Sequence, residues 1–397
     1  MAGRIVLGLG GTVDYELVWD ARMFQELVDG HGICLAEVGE AAPSRVGGER
    51  GIVLTVLRYM RRGEGGECYV ADKRALLAFA DRFAYEVTLG GTCVRAALAM
   101  DRIGVASTVH LVSINEHVRR LLPDRVGWVC SAQADSLDPH VIVQYPVGAV
   151  VHLTDGEVTA RRPNRVIAVN DAPNERLRLS AELPRLLAAA QVVLISGFNT
   201  MKSAAELRVR LAEVEAALAA VAPGAVVVYE DAGFHDGALR EVVLETTARL
   251  VHLHSLNEDE AQQYLGRTVD LADAGQVTVM MSELHRWLGA PAVMVHTSRY
   301  AAVVGERASL LRAAAEAGCL MASTRFLHGD RYGMEEYGAV ARAPRDEIGI
   351  RLTASPEASR AGVLIAPGFD VRTDSPTTIG LGDAFIGGVV AHLARAQ

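Results

Sequence analysis

Apolar and polar positions follow two different rhythms along the chain. Short apolar runs closed by glycine or polar residues recur at 5–9, 108–113, 192–196, 225–229, 251–255, 292–297 and 364–367; such continuous runs read as strands buried on both faces. Stretches with apolar residues at helical spacing lie between them, at 15–27, 51–60, 73–83, 94–103, 203–221 and 384–394. Their alternation predicts a mostly parallel sheet with helices on both faces. Residues 138–171 break the rhythm. There P-H-V-I-V-Q-Y-P, the run 147–153, the turn D-G-E and the run 165–169 follow one another without a helix, which predicts a small antiparallel sheet. A short run at 33–38 is expected to add a strand to it, and 39–50, rich in Gly, Pro, Ser and charge, reads as a loop. The β-rich insert is expected to close over the larger domain as a lid. The large domain is then assigned 1–13, 51–137 and 172–397, and the lid 14–50 and 138–171.

Composition narrows the class. The chain has 397 residues, half of them apolar, enough for a large core and against disorder. Acidic residues outnumber basic ones by 48 to 39, and no block of Lys and Arg forms a basic patch, so nucleic acid is not an expected partner. The five cysteines are scattered without a C-x-x-C pair, which suits buried thiols in a reducing compartment. The N-terminal apolar run is short for a signal peptide, and no run of about 18 apolar residues is present. A cytoplasmic protein without a membrane partner is expected. Its oligomeric state is left open.

Candidate chemistry gathers where strands end. Near the C-terminus, Pro376-Thr377-Thr378-Ile379-Gly380-Leu381-Gly382-Asp383 runs into the apolar stretch 384–394. Two glycines before a helix bring backbone N–H groups and the positive helix end close to a ligand, which makes an anion hole. Asp383 at its rim is placed to accept a proton from a hydroxyl attacking phosphorus. The same Gly-Asp also serves as a plain turn and N-cap. Gly10-Gly11-Thr12-Val13-Asp14 closes the first apolar run, so Asp14 is either a turn residue or a carboxylate for polyol hydroxyls. Gly90-Gly91 precedes a helix and fits a ligand-facing turn or a simple strand-to-helix connection, with Arg95 one turn further, either at the surface or within reach of a sugar phosphate. Asn257-Glu258-Asp259-Glu260 opens another helix. Capping explains such acids, and so does Mg²⁺, which needs one or two carboxylates beside a diphosphate.

The string T-I-G-L-G-D-A-F resembles the C-terminal signature of the ribokinase-like sugar kinases, in their ADP-dependent glucokinase and phosphofructokinase branch. G-G-T-V-D, G-G-T, N-R at 164–165, Y-E-D, N-E-D-E and V-H-T-S-R-Y follow in the order of that family over nearly the whole chain. The resemblance implies Asp383 as catalytic base, Gly380 and Gly382 as anion hole, and Arg165 near the transferred phosphate. It implies Asp14, Gly90, Gly91 and Gln144 at the sugar, and Asn199 of G-F-N is grouped with them. Asn257, His296 and Tyr300 are expected at the nucleotide, and Glu230, Glu258 and Glu260 at Mg²⁺. Two positions depart from the pattern: Gln144 stands where a carboxylate is common, and Val228 where the family has the His of H-x-E before Glu230. The expectation is an α/β, ribokinase-like fold with a β-rich lid. Its function is transfer of a phosphoryl group from Mg-ADP to a hexose or hexose phosphate. An ATP-dependent kinase of the same fold, acting on a nucleoside or another carbohydrate, and a non-catalytic sugar or nucleotide sensor are the alternatives.

Overall fold

The computed structural model describes residues 4–39, 45–234, 236–374 and 376–396; residues 40–44 of the expected loop lie outside them. Nine strands form the larger sheet. From one edge to the other they are Leu364–Pro367, Tyr300–Gly305, Ala292–His296, Leu253–Asn257, Val226–Glu230, Val192–Ile195, Ile5–Leu7, Ser107–Leu111 and Val126–Cys130. Neighbours from Ala292–His296 to Val126–Cys130 run parallel, while Tyr300–Gly305 is antiparallel to both strands beside it. The parallel strands are apolar throughout because helices cover both faces, and two apolar clusters lie on either side. With one polarity shared, the carboxyl ends of the strands deliver Glu230, Asn257 and His296 to a single edge.

The lid is a six-stranded sheet in the order Arg45–Val46, Gly66–Val70, Asn164–Val169, His140–Tyr145, Thr12–Leu17, Tyr85–Gly90. It differs from the expected insert in three ways. Strands Gly66–Val70 and Tyr85–Gly90, from the segment assigned to the large domain, pair in the lid sheet. The sheet is mixed, since Thr12–Leu17 runs parallel to His140–Tyr145 and Asn164–Val169 parallel to Gly66–Val70. The run at 33–38 carries the helix Leu35–Val38, whose start is closed by Glu37 accepting from the Cys34 N–H at 3.2 Å. Nothing in a short apolar run fixes its period; here the local cap decides it.

The expected helix at 15–27 is also replaced. Val13, Tyr15 and Leu17 are buried while Asp14 and Glu16 share the other side, a period of two that makes a strand. The helix begins only at Ala21, where Asp20 accepts from the Met23 N–H at 3.0 Å.

The last helix, Leu381–Arg395, is buried nearly all round. It packs between the helix Thr92–Arg102 and the long helix Ala308–His328. The segment 305–362, mixed and charged in sequence, thus contributes a long helix to the core.

Candidate active site

Partners in a β-ladder share a face, so the register of the lid sheet sorts its side chains. Asp14 lies opposite Thr88 and His140, and Gln144 opposite Arg165. Asp14, Glu16, Thr88, His140, Gln144 and Arg165 thus occupy one polar side of the sheet. The other side carries Val13, Tyr15, Leu17, Val141, Val143 and Tyr145, all buried. Asp14 itself is buried, with Oδ1 accepting from the Thr12 hydroxyl at 2.6 Å and Oδ2 from Arg95 Nη2 at 2.7 Å. A Cβ on Gly90 would stand 2.2 Å from Asp14 Oδ2, so the glycine makes room for the carboxylate. Gly91, at φ +84°, starts the helix Thr92–Arg102.

Opposite this face is the glycine corner. Gly380 has φ +68° and is the N-cap of Leu381–Arg395, a left-handed conformation that L side chains resist. The N–H groups of the first helical residues, Leu381, Gly382 and Asp383, have no carbonyl one turn back and point out of the helix end. Gly382 is less constrained, since a Cβ there would meet His296 Cε1 at 3.4 Å. Arg325 fixes the corner by donating from Nε to the Ile379 carbonyl at 2.9 Å and pairs through Nη1 with Asp330. Sequence reasoning assigned no role to Arg325; a lone arginine late in a helix carries no signal of what it will reach.

Asp383, Gly380, Gly382 and Arg165 line one cavity of about 630 Å³ together with Thr92, Glu230, Asn257, Glu258, Glu260 and His296. The helix starting at Thr92 and the helix starting at Leu381 both bring their N-termini to it, so two positive helix ends meet there. Arg165 projects from the lid, and no hydrogen bond or ion pair to its guanidinium is found among the described residues. Burial lowers its pKa; Asp383 acts in the opposite direction and Arg95 in the same one. Further along, the wall turns apolar, with Ala322, Phe326, Phe369 and Val371.

An acidic row forms the sheet-side wall. Glu230, Asp231 and Glu260 are buried, and burial raises the pKa of Glu258 and Glu260; Asp231 and then Glu230 push Glu260 further. His296 Nε2 meets Glu230 Oε1 at 2.9 Å, and its ring stacks on Phe385 at 4.5 Å. Burial alone would lower the pKa of His296, but Glu230, with Glu260 and Glu258 behind it, raises it overall. Glu230, with Val228 two residues before it, thus meets an imidazole from a strand two places away in the sheet. Glu230 Oε2 is buried with no hydrogen-bond partner among the described residues, the state of a carboxylate oxygen that a cation would satisfy. No group of three side chains among the described residues is arranged to hold a metal by itself. The donors therefore fit an ion held mainly by a ligand's phosphates.

Other expected site residues stand differently. Asn257 and Glu260 form a reciprocal cap: Asn257 Oδ1 accepts from the Asp259 and Glu260 N–H groups, and Glu260 Oε2 from the Asn257 N–H, each at 2.9 Å. Capping, not a free carboxylate, is the first duty of Glu260. Tyr300 is fully buried behind the cavity, its hydroxyl on the Leu271 carbonyl at 2.9 Å, because strand alternation turns it into the core. Arg95 is neither exposed nor open to solvent ligands, its Nη2 being shared by Asp14 and Glu16. Asn199 lies in a second cavity of about 470 Å³ between lid and large domain, with His140, Glu67, Tyr69 and Lys202. Glu16, Asp231 and Thr92 were missed. The D-Y-E alternation was the available signal for Glu16, whereas Asp231 and Thr92 had none beyond their neighbours.

The sequence matches the ADP-specific Phosphofructokinase/Glucokinase conserved region over residues 3–385. The chain belongs to that family. It is an ADP-dependent sugar kinase, a phosphotransferase with an alcohol group as acceptor and ADP as donor. Its fold is that of a phosphofructokinase from Pyrococcus horikoshii solved with AMP, with a TM-score of 0.76 at 17% identity over 99% of this chain and 98% of that one. A reconstructed last common ancestor of ADP-dependent phosphofructokinases from Methanosarcinales gives 0.73 at 17%, covering 99% and 94%. An ADP-dependent kinase in complex with fructose 6-phosphate and ADPβS gives 0.72 at 14%, again covering 99% and 94%. No curated protein sequence matches the chain. No helix of this family member, among the described residues, is long and apolar enough to cross a membrane.

Proposed function

We propose that the chain phosphorylates a hydroxyl of a hexose or hexose phosphate, of the glucose or fructose 6-phosphate type, with Asp383 as general base. The acceptor lies between the polar side of the lid and the glycine corner, against Asp14, Gly90, Gly91 and Gln144. Asp383 takes the hydroxyl proton as that oxygen attacks the terminal phosphorus of ADP, and the bond from phosphorus to the bridging oxygen breaks to release AMP. The N–H groups after Gly380 and the guanidinium of Arg165 hold the charge on the transferred group, since phosphoryl transfer depends chiefly on positioning and electrostatics. The nucleotide's phosphates run along the edge past Asn257 and His296, and its base rests on the apolar wall of Phe326 and Phe369. Glu230 and Glu258 would hold Mg²⁺ together with the diphosphate, where the ion supplies positive charge to phosphate oxygens.

One observation carries this reading. A partly exposed carboxylate, two helix N-termini and an arginine without a hydrogen-bond or ion-pair partner among the described residues share one cavity with the acidic row. The solved relatives whose ligands are AMP, and fructose 6-phosphate with ADPβS, support the ligand classes. Purified protein with ADP should phosphorylate at least one of glucose and fructose 6-phosphate in a coupled assay. Asp383→Asn should lower kcat by about 10²–10⁴-fold while ADP binding by calorimetry stays within about twofold. Unchanged kcat in that variant would overturn the assignment of the base.

A further inference from the structure

Arg95 is a buried cation at the meeting point of three elements. It rises from the helix Thr92–Arg102 of the large domain, and its side chain is 6% exposed. Nη2 donates to Asp14 Oδ2 at 2.7 Å and to Glu16 Oε1 at 3.1 Å, both on the lid strand Thr12–Leu17. Glu16 is held in turn by the Thr88 hydroxyl at 2.7 Å and by Gln144 Nε2 at 3.4 Å, which ties in the lid strands on either side. The rest of the arginine lies under the glycine corner: a Cβ on Gly380 would stand 2.9 Å from Arg95 Cδ and 3.4 Å from Nη1. Asp383 adds to the charges that keep its proton bound, after Asp14 and Glu16.

We propose that Arg95 is a positioning residue that clamps the acidic lid strand to the Gly380 corner, setting the distance between the acceptor held by Asp14 and the base Asp383. The proposal rests on the assignment of Asp14 to the acceptor and Asp383 to proton removal made above. Two carboxylates at alternate positions of one strand repel each other on the cleft side, and a single guanidinium between them both removes that repulsion and fixes their direction. The fork matters as well as the charge. One nitrogen, Nη2, serves both acids, and a lysine ammonium in its place would lack the rest of the planar group, which packs under the corner through Cδ and Nη1 and fixes the direction of Nη2. The lid strand lies in the smaller sheet and the corner opens the last helix of the large domain, so loss of the clamp lets them shift relative to each other, and small misplacements of reacting groups are costly.

The test is steady-state kinetics on the full chain with ADP and whichever hexose acceptor the wild type uses. Arg95→Lys keeps the charge and is expected to raise the acceptor KM or lower kcat by about tenfold or more, with ADP affinity within about twofold. Arg95→Ala should lose more, and guanidinium ion at tens of millimolar should restore part of its kcat. Glu16→Gln, which breaks one of the two pairs, should fall between wild type and Arg95→Lys in the same parameter. A neutralising role alone would leave Arg95→Lys with wild-type kcat and acceptor KM, and that result overturns the proposal. So does an equal loss of ADP and acceptor affinity. If the Arg95 variants fail to fold, a Glu16→Gln enzyme with unchanged acceptor KM and kcat overturns it as well. An inactive wild type would sink the functional reading itself, whereas an active wild type with an indifferent Arg95→Lys removes only the clamp.

Discussion

At the scale of the residue, Gly380 is a constrained glycine of the candidate site. Its φ of +68° costs an alanine about 1–2 kcal/mol, and the added methyl would press on Arg95 Cδ. Gly380→Ala should therefore lose about that much stability in urea titration and displace the helix end that Asp383 stands on, lowering kcat more than Gly382→Ala does. Arg165→Lys should lower kcat by at least about tenfold with little change in acceptor KM, because a point charge cannot bracket two equatorial oxygens. Much at this scale was legible. Asp383 and Gly380 stand where the glycine–aspartate string predicted, since a turn and a helix start are local events. Arg325, Glu16 and the His296–Glu230 pair were not legible, because each joins positions far apart in sequence.

Elements show what helix ends contribute. The cap at Asn257 satisfies two N–H groups, so Asn257→Ala should cost about 1 kcal/mol in equilibrium unfolding. The Glu260 carboxylate keeps its bond to the backbone N–H of that position, so only the side-chain half of the cap is lost. Deeper in the fold, Gly388 lets the helix Leu381–Arg395 approach Ala308–His328: a Cβ there would lie 2.4 Å from the Ala317 carbonyl oxygen. Backbone cannot move aside as a side chain can, and Gly388→Val should destabilise by at least about 1–3 kcal/mol, seen as a lowered thermal midpoint. Long buried strands and apolar helices were readable from their periods. The elements at 12–31 and 33–38 were not, because apolar residues over so few positions fit both periods, and pairing with His140–Tyr145 or a local cap decided between them.

At the scale of the whole molecule, His110 and His140 have opposite effects on stability. His110, in the large sheet, accepts from the Ser180 N–H through Nε2 at 2.8 Å, and burial pushes its pKa down to about 4. A neutral folded form loses ground as pH falls from the unfolded value near 6.5 toward 4, about 3 kcal/mol over that window. His140, in the lid, is pulled down by burial but raised to about 9 overall by Asp171, which it meets at 3.2 Å. Its contribution is fully present below about 6.5 and is lost as pH rises through 9. Chemical denaturation across pH should show both limbs, with His110→Gln flattening part of the acid one and His140→Gln the alkaline one. Asp171 also holds Asn174, whose amide donates to the Gly11 carbonyl, so the alkaline limb reports on the joint between lid and large domain.

By itself the sequence determined the α/β class, a β-rich second sheet and the glycine corner with its carboxylate, because each follows from short-range periodicity or a local turn, while the kind of reaction came from the resemblance of its ordered motifs to a family. Only the tertiary structure decided which strands make the lid, that Glu230 takes its histidine from another strand, that Tyr300 faces the core and that Arg95 joins lid to corner. Those are matters of register and distance between remote segments, and a linear pattern does not contain the energies that choose among them.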